Sequence, residues 1–435
     1  MLSALSCTNS SSTTYTPSYD PTVATMTFTA NDSFPALAKA VFTVEGRIDT
    51  GLIFNVDSLK YGTRIDSVIP KFTFNGSVVS SAVILTPNDT VYLSGKEAID
   101  FSQRPVYLHT VSEDGAFEKW YEIRVNVHQT DPDLYVWEKI SDNVLPGAYS
   151  NQKTVMLRDT MYMFASDGLQ TKLLYSAGGE DWIEKEVPFT NFDVKNTVVY
   201  AGKIYCMNEG ETRRLSSCNA AWEAMTEEKG DYELKQLVFE FNGYLWAIAW
   251  NKTEEKNYLV SIGEEFGEWE GEGELKEDFP MSDFAALKFL SPTGRERGMI
   301  VGGFNEEGKC LNTRWNVEYA PGSGYNWENF SIEQPWFAAL TGVSIIYYDK
   351  HFLMFGGVDA ENKLEDNAIL ESFDEGMNWS VPDSTHNSLP ESYKARAYQS
   401  VMTDSNNNIY IVGGKSRTEV FSDVYKGKLN SINWK

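Results

Sequence analysis

The sequence predicts an all-β chain in two parts: a small β-sandwich, then a ring of six repeated antiparallel sheets. Three observations carry that expectation. Period-2 alternation dominates the first 130 residues and no helical period is sustained there. Beyond residue 133, tryptophans recur at Trp182, Trp222, Trp269, Trp327, Trp379 and Trp434, at steps of roughly 40 to 60 residues, the spacing of repeated sheet units. One stretch, 347–379, concentrates two local signatures: an apolar strand ending in Gly356-Gly357, and the turn Ser372-Phe-Asp374-Glu-Gly376-Met-Asn-Trp379.

Residues 1–20 come first. The chain opens Met-Leu-Ser-Ala-Leu-Ser-Cys7 and continues in a Ser/Thr-rich run. Small residues before a cysteine resemble the lipobox of a bacterial lipoprotein, with Cys7 as the lipidated residue. Ala4 stands where that pattern has a larger aliphatic, and six residues are too short for a signal peptide. Either a longer leader precedes this start, which is the favoured reading, or Cys7 is an ordinary cysteine. The Ser/Thr run then reads as a tether.

Residues 21–130 form the next part. Met26-Thr-Phe28, Lys71-Phe72-Thr-Phe74 and Tyr121-Glu-Ile123-Arg-Val125-Asn-Val127 alternate cleanly. Turn signals fall at Glu45-Gly46, Asn75-Gly76, Pro87-Asn88-Asp89 and Asp114-Gly115. A short helical turn is expected near 34–39. Short strands at this spacing predict a sandwich. The hairpin around Asp114-Gly115 resembles the last hairpin of immunoglobulin- and cadherin-like modules of bacterial surface proteins.

Residues 133–435 hold the repeats. Ahead of each Trp the order is strand, polar turn, strand, third strand. The last three copies end their second strand in Gly302-Gly303, Gly356-Gly357 and Gly413-Gly414. These resemble kelch repeats, and Ser372 to Trp379 resembles an Asp-box; both imply β-propeller blades, six in number. Glycine there lets neighbouring backbones approach closely. In the turn, Asp374 can bond nearby backbone amides and Trp379 can bury a large apolar area. The sixth copy has no sequence left for an outer strand, whereas Leu134-Tyr-Val-Trp137-Glu-Lys-Ile140 belongs to no other copy and resembles Trp182-Ile-Glu-Lys185. The expectation is that 134–140 pairs with 423–429 and so joins first and last blades.

Composition narrows function. Thirty-seven Lys and Arg against 62 Asp and Glu give a net charge of −25, which argues against nucleic acid or an anionic membrane surface as partner. No apolar run spans a bilayer, so a membrane is met only through a lipid anchor. The four cysteines (Cys7, Cys206, Cys218, Cys310) and four histidines lack metal-ligand spacing; neither metal nor cofactor is expected. Cys206 and Cys218 are read either as a cross-hairpin disulfide or as buried thiols.

Asp-box propellers include sialidases, but no arginine set here matches that family's, and no Gly-x-Ser-x-Gly or phosphate loop occurs. Loop aromatics and arginines remain: Trp336 and Phe337, Arg396 and Tyr398, and Arg213 with Arg214 in a second-to-third strand loop. These are the candidate binding residues, with no catalytic residue assigned. The whole is similar to surface lipoproteins of Gram-negative gut anaerobes. The expectation is an exported, lipid-anchored, monomeric surface protein whose propeller binds glycan or protein without catalysis. The alternative is a glycoside-active hydrolase or lyase, which a pair of carboxylates in the central pocket would favour.

Overall fold

The structure, a computed structural model, describes residues 15–30, 34–145, 147, 149–188, 193–208, 211–225, 230–266, 269–330, 338–366 and 368–431. Among them every regular element is a strand apart from two 3-10 turns, Pro35–Lys39 and Glu264–Phe266. The chain divides into two compact units, Met1–Pro132 and Asp133–Lys435.

In the first unit, alternation produces two sheets around one core. Six strands stand in the order Thr43–Glu45, Thr50–Phe54, Glu118–Arg124, Val106–Ser112, Val79–Leu85 and Thr90–Tyr92; Val23–Phe28 pairs separately with Pro70–Phe74. All neighbours are antiparallel except Thr50–Phe54 with Glu118–Arg124, which run parallel. Met26 and Phe28 from the small sheet meet Ile53, Ile84, Leu108 and Ile123 from the large one. The hairpin at Asp114-Gly115 forms: the Gly115 amide donates to the Ser112 carbonyl at 3.0 Å. The helical turn near 34–39 is Pro35–Lys39, anchored by buried Leu37.

Among the described residues the second unit holds six sheets. In chain order their first strands are Asn151–Leu157, Thr197–Tyr200, Tyr232–Phe241, Ala285–Leu290, Ser344–Tyr348 and Ser400–Thr403. Each first strand lies against that of the next sheet, and Ser400–Thr403 lies against Asn151–Leu157. Tight turns with positive φ at both central residues link first to second strands: Arg158-Asp159, Ala201-Gly202, Asn242-Gly243 and Asp349-Lys350. That geometry matches the twist of paired strands. Five sheets are built from consecutive strands, four in each of the first four and three in the fifth among the described residues.

The sixth sheet is different. Ser400–Thr403, Ile409–Lys415 and Val420–Leu429 are followed by Tyr135–Ser141, which pairs antiparallel with the last of them, Leu429 opposite Tyr135 and Val424 opposite Ser141. The segment expected to pair there does so. Leaving Val420–Leu429 unpaired would expose a sheet edge.

Between sheets lie six apolar cores, and each takes a tryptophan from its later sheet. Trp222 packs with Leu157 and Phe164 of the first sheet. Trp269 packs with Tyr200 and Tyr205 of the second, and Trp327 with Phe239 and Trp246 of the third. Trp379, 1% exposed, packs with Phe289 and Met299 of the fourth. Trp182 meets Tyr410 and Val424 of the sixth. In the core between fifth and sixth sheets the tryptophan is Trp137, from the closing strand, its ring 6.2 Å from Phe355. Trp434, expected in that series, lies outside the described residues.

The turn at Ser372 shows how such a Trp is fixed. Ser372 Oγ donates to Asp374 Oδ1 at 2.9 Å and accepts from the Gly376 amide at 2.9 Å; Asp374 Oδ1 also accepts the Asn378 amide at 2.8 Å. Trp379 Nε1 donates to the Gly376 carbonyl at 3.1 Å. The first sheet carries a version one residue shorter. There the Gly179 amide donates to Ser176 Oγ at 2.8 Å, and Trp182 Nε1 to the Gly179 carbonyl at 2.9 Å.

Candidate functional site

The six first strands and the loops leading into them surround a pocket of about 170 Å³. Three glycines set how closely neighbouring sheets approach on one side of it. Gly302, Gly356 and Gly413 have φ of 65°, 57° and 63°, a region that disfavours any side chain. A Cβ on Gly302 would strike the Leu340 carbonyl oxygen, and one on Gly356 the Arg396 carbonyl oxygen. A Cβ on Gly413 would strike Gln152 Oε1, on the first strand of the first sheet. Each therefore admits the loop or strand of the next sheet.

The loops so admitted repeat one geometry. Asp283, Gly342 and Tyr398 each stand two residues before their sheet's first strand, with φ of 55°, 65° and 58°. They are hydrogen-bonded in series. The Gly342 amide donates to the Asp283 carbonyl at 3.0 Å, and the Tyr398 amide to the Gly342 carbonyl at 2.7 Å. Only the middle one lacks a side chain, and the Tyr398 ring fills that space. A Cβ on Gly342 would lie 2.9 Å from three atoms of the ring, so the ring rests face-down on that glycine.

Lysines gather round this ring. Lys195 Nζ stands 5.1 Å and Lys415 Nζ 4.6 Å from its centroid, within cation–π range. Lys195 Nζ is also 2.5 Å from Asp283 Oδ1. Lys153, on the first strand of the first sheet, completes the cationic lining. Burial pulls its pKa below the ordinary lysine value, an effect that nearby Lys195 reinforces and Asp283 and Asp193 oppose. Lys415 is lowered in the same way, by burial first and Lys195 second. Tyr398 is raised, by burial first and Asp283 next; its phenol stays neutral. Among the described residues the lining holds three lysines and one carboxylate, and that carboxylate is already ion-paired. Asn151, Gln152, Gln236, Gln399, Ser344 and Thr197 supply neutral polar groups around them.

Of the residues that sequence singles out, Tyr398 reaches the pocket. Arg396, two residues earlier, turns inward: its side chain is 0% exposed. It is ion-paired with Asp423 and donates to the Gly413 carbonyl at 3.1 Å. Its guanidinium lies 4.0 Å from the Phe421 ring centroid and 4.4 Å from that of Tyr393. It holds the sixth sheet together and is not a pocket residue.

Arg213 and Arg214 lie on the third strand of the second sheet, Glu211–Leu215, not in a loop. They pair with Glu211 and Glu223 at 2.6 Å, away from the lining. Trp336, Phe337 and Cys7 lie outside the described residues. Cys206 and Cys218 are both free thiols, and burial pushes the Cys206 thiol far up. No group of His, Cys, Asp and Glu among the described residues could hold a metal ion. No helix of the described residues is long and apolar enough to cross a membrane.

The lysines carry no sequence signal of their own. Each comes from a different repeat, and only the ring brings them together. A comparison of loop positions ahead of each first strand, rather than a search for aromatics, would have aligned Asp283, Gly342 and Tyr398.

Among the solved structures that resemble the chain at a distance are two propeller-sized neighbours. The structure of YjhT is 12% identical with a TM-score of 0.44, covering 66% of this chain and 96% of that one. A putative gluconolactonase is 11% identical with a TM-score of 0.41, covering 68% of this chain and 92% of its own. No curated protein matches. At the family level the agreement spans both units: residues 7–125 match the DUF6242 N-terminal domain and residues 131–435 the DUF6242 beta propeller domain. The chain belongs to the DUF6242 family, and its second unit is a β-propeller.

Proposed function

We propose that the propeller is a non-catalytic module that binds an anionic ligand, an acidic glycan above all, in its central pocket. The six sheets and six intervening cores support counting six blades. The glycine pairs and the Ser372–Trp379 turn support their kelch and Asp-box character. One observation carries the functional reading. In a chain of net charge −25, the pocket places Lys153, Lys195 and Lys415 against a single carboxylate, Asp283. Concentrating cations in a concave site attracts anions against the overall charge. The neutral polar rim suits sugar hydroxyls.

The same arrangement supports binding over glycoside chemistry. A two-carboxylate mechanism needs a free acid and a free base or nucleophile facing one bond. The one carboxylate in the described lining is neutralised by Lys195.

An array of acidic and neutral glycans, with product analysis of each hit, tests the proposal. Acidic glycans should be retained without turnover. Lys153→Met and Lys415→Met should each weaken retention by roughly tenfold or more, the worth of a charged hydrogen bond. Both lysines titrate below the ordinary lysine value. Binding should therefore fade as pH rises through the alkaline range, earlier than for ordinary lysines. Turnover of a hit, or equal retention of neutral glycans, would sink the proposal.

A further inference from the structure

We infer that Asp283 is the specificity-determining residue of this pocket. It pairs with Lys195 and so sets how much negative charge the site accepts. The inference rests on the anion-binding role proposed above and adds what that role leaves open, the charge of the ligand.

Three observations meet at this residue. Its carboxylate is 2.5 Å from Lys195 Nζ, and Lys195 stands 5.1 Å from the centroid of the Tyr398 ring on which the cations converge. Asp283 also opposes the lowering of both Lys153 and Lys415, so its charge is felt by all three lysines. Its backbone is fixed: φ is 55°, and its carbonyl accepts the Gly342 amide at 3.0 Å and Thr341 Oγ1 at 3.1 Å. The backbone that carries the acid is thus held in place by the ring of loops.

The consequence is arithmetic. With Asp283 charged, Lys195 is spoken for, and Lys153 and Lys415 remain to meet an anion. Lys415 Nζ has one long hydrogen bond, to the Ser150 carbonyl at 3.4 Å. Two uncommitted ammoniums fit a ligand bearing one or two negative charges close together, such as a sugar acid or a sugar phosphate or sulfate. They do not fit a polyanion. Removing the charge of Asp283 frees a third ammonium without adding an atom, and the gain in attraction should grow with ligand charge because Coulomb energy is a product of charges.

Asp283→Asn is the decisive variant. Asparagine tolerates the left-handed backbone as aspartate does, so the loop keeps its shape, which a circular-dichroism melt verifies. The probes share one sugar frame: glucose, glucuronate and glucose-6-phosphate at pH 8, measured by calorimetry on the full chain at fixed low salt. The variant should bind glucuronate roughly tenfold more tightly and gain still more for the phosphate ester, with no gain for glucose. If wild type binds neither anion, the anion-binding proposal falls and this inference with it. If wild type binds them and the variant binds equally or less well, only the role of Asp283 falls. Equal gains for one and two charges would also overturn it, since a reshaped pocket rather than charge would then explain the change.

Discussion

The fourth to sixth sheets are joined to their neighbours differently from the first three. In the later half backbone also meets backbone across the joints, beside side-chain bonds such as Gln399 Nε2 to the Phe355 carbonyl at 2.6 Å: Gly303 amide to Leu340 carbonyl, Gly342 to Asp283, Gly357 to Arg396 and Tyr398 to Gly342. In the earlier half the joints among the described residues run through side chains. Asn196 Oδ1 accepts the Leu237 amide at 2.7 Å, Lys185 Nζ donates to the Ala220 carbonyl at 2.8 Å, and Glu240 Oε2 accepts the Ala201 amide at 3.1 Å. Backbone can meet backbone only where no Cβ intervenes. The later half therefore needs glycines at fixed places, and the earlier half can use any side chain of suitable reach. One architecture tolerates both solutions because the apolar cores, each with its tryptophan, are common to all six joints.

Three substitutions probe that difference. The largest effect belongs to Arg396→Ala. Arg396 is fully buried, and its carbonyl is the surface that Gly356 and Gly357 approach. Leaving buried Asp423 with only Lys139, 3.7 Å away, should cost about 3 kcal/mol in urea unfolding. A loss under about 1 kcal/mol would show that the later half does not lean on this pair.

Gly356→Ala comes next. A Cβ there strikes a carbonyl at φ 57°, and about 2 to 4 kcal/mol is expected from combined clash and strain. Its control is Gly168→Ala in the first sheet, where φ is 91° but nothing lies within 4 Å of the added carbon. Only the left-handed penalty of about 1 kcal/mol should appear. Equal losses at the two positions would remove the packing argument.

Smallest is Asn196→Ala, which takes the partner from the Leu237 amide. Asn196 is 5% exposed, and about 1 to 3 kcal/mol should be lost. Restoration of that stability by Asp, which keeps the acceptor oxygen, would identify the hydrogen bond as the cause.

The same difference explains what the sequence reveals. Strands, repeats and the closing segment are legible because alternation and Trp spacing are local or periodic. The glycine pairs are legible because backbone contact has one chemical solution. The earlier sheets show no equivalent, since Asn196, Lys185 and Glu240 share no residue type. Arg396 is misplaced by sequence for a related reason. Its partner Asp423 lies 27 residues on, and nothing near Arg396 in sequence marks it as buried rather than ligand-facing. The pocket lysines stay hidden because Lys153, Lys195 and Lys415 become neighbours only when the ring is complete. Trp137 is legible as part of a closing strand, but its service as the sixth tryptophan depends on which core that strand covers.

The pairing of Tyr135–Ser141 with Val420–Leu429 also sets an order of events in time. Five sheets of the second unit are made of consecutive strands and can register as they emerge during synthesis. The sixth cannot. Its outermost strand is synthesised first, and the strand it needs is among the last. Contacts of such long sequence separation slow folding, because the entropy of bringing the ends together is lost before any contact rewards it. Until then Tyr135–Ser141 is an edge without a partner, the kind of segment that recruits strands from other chains. The adjacent opposite charges of Glu138 and Lys139 within it serve a polypeptide that must keep one strand available, and unattached, until nearly all of its second unit has been made.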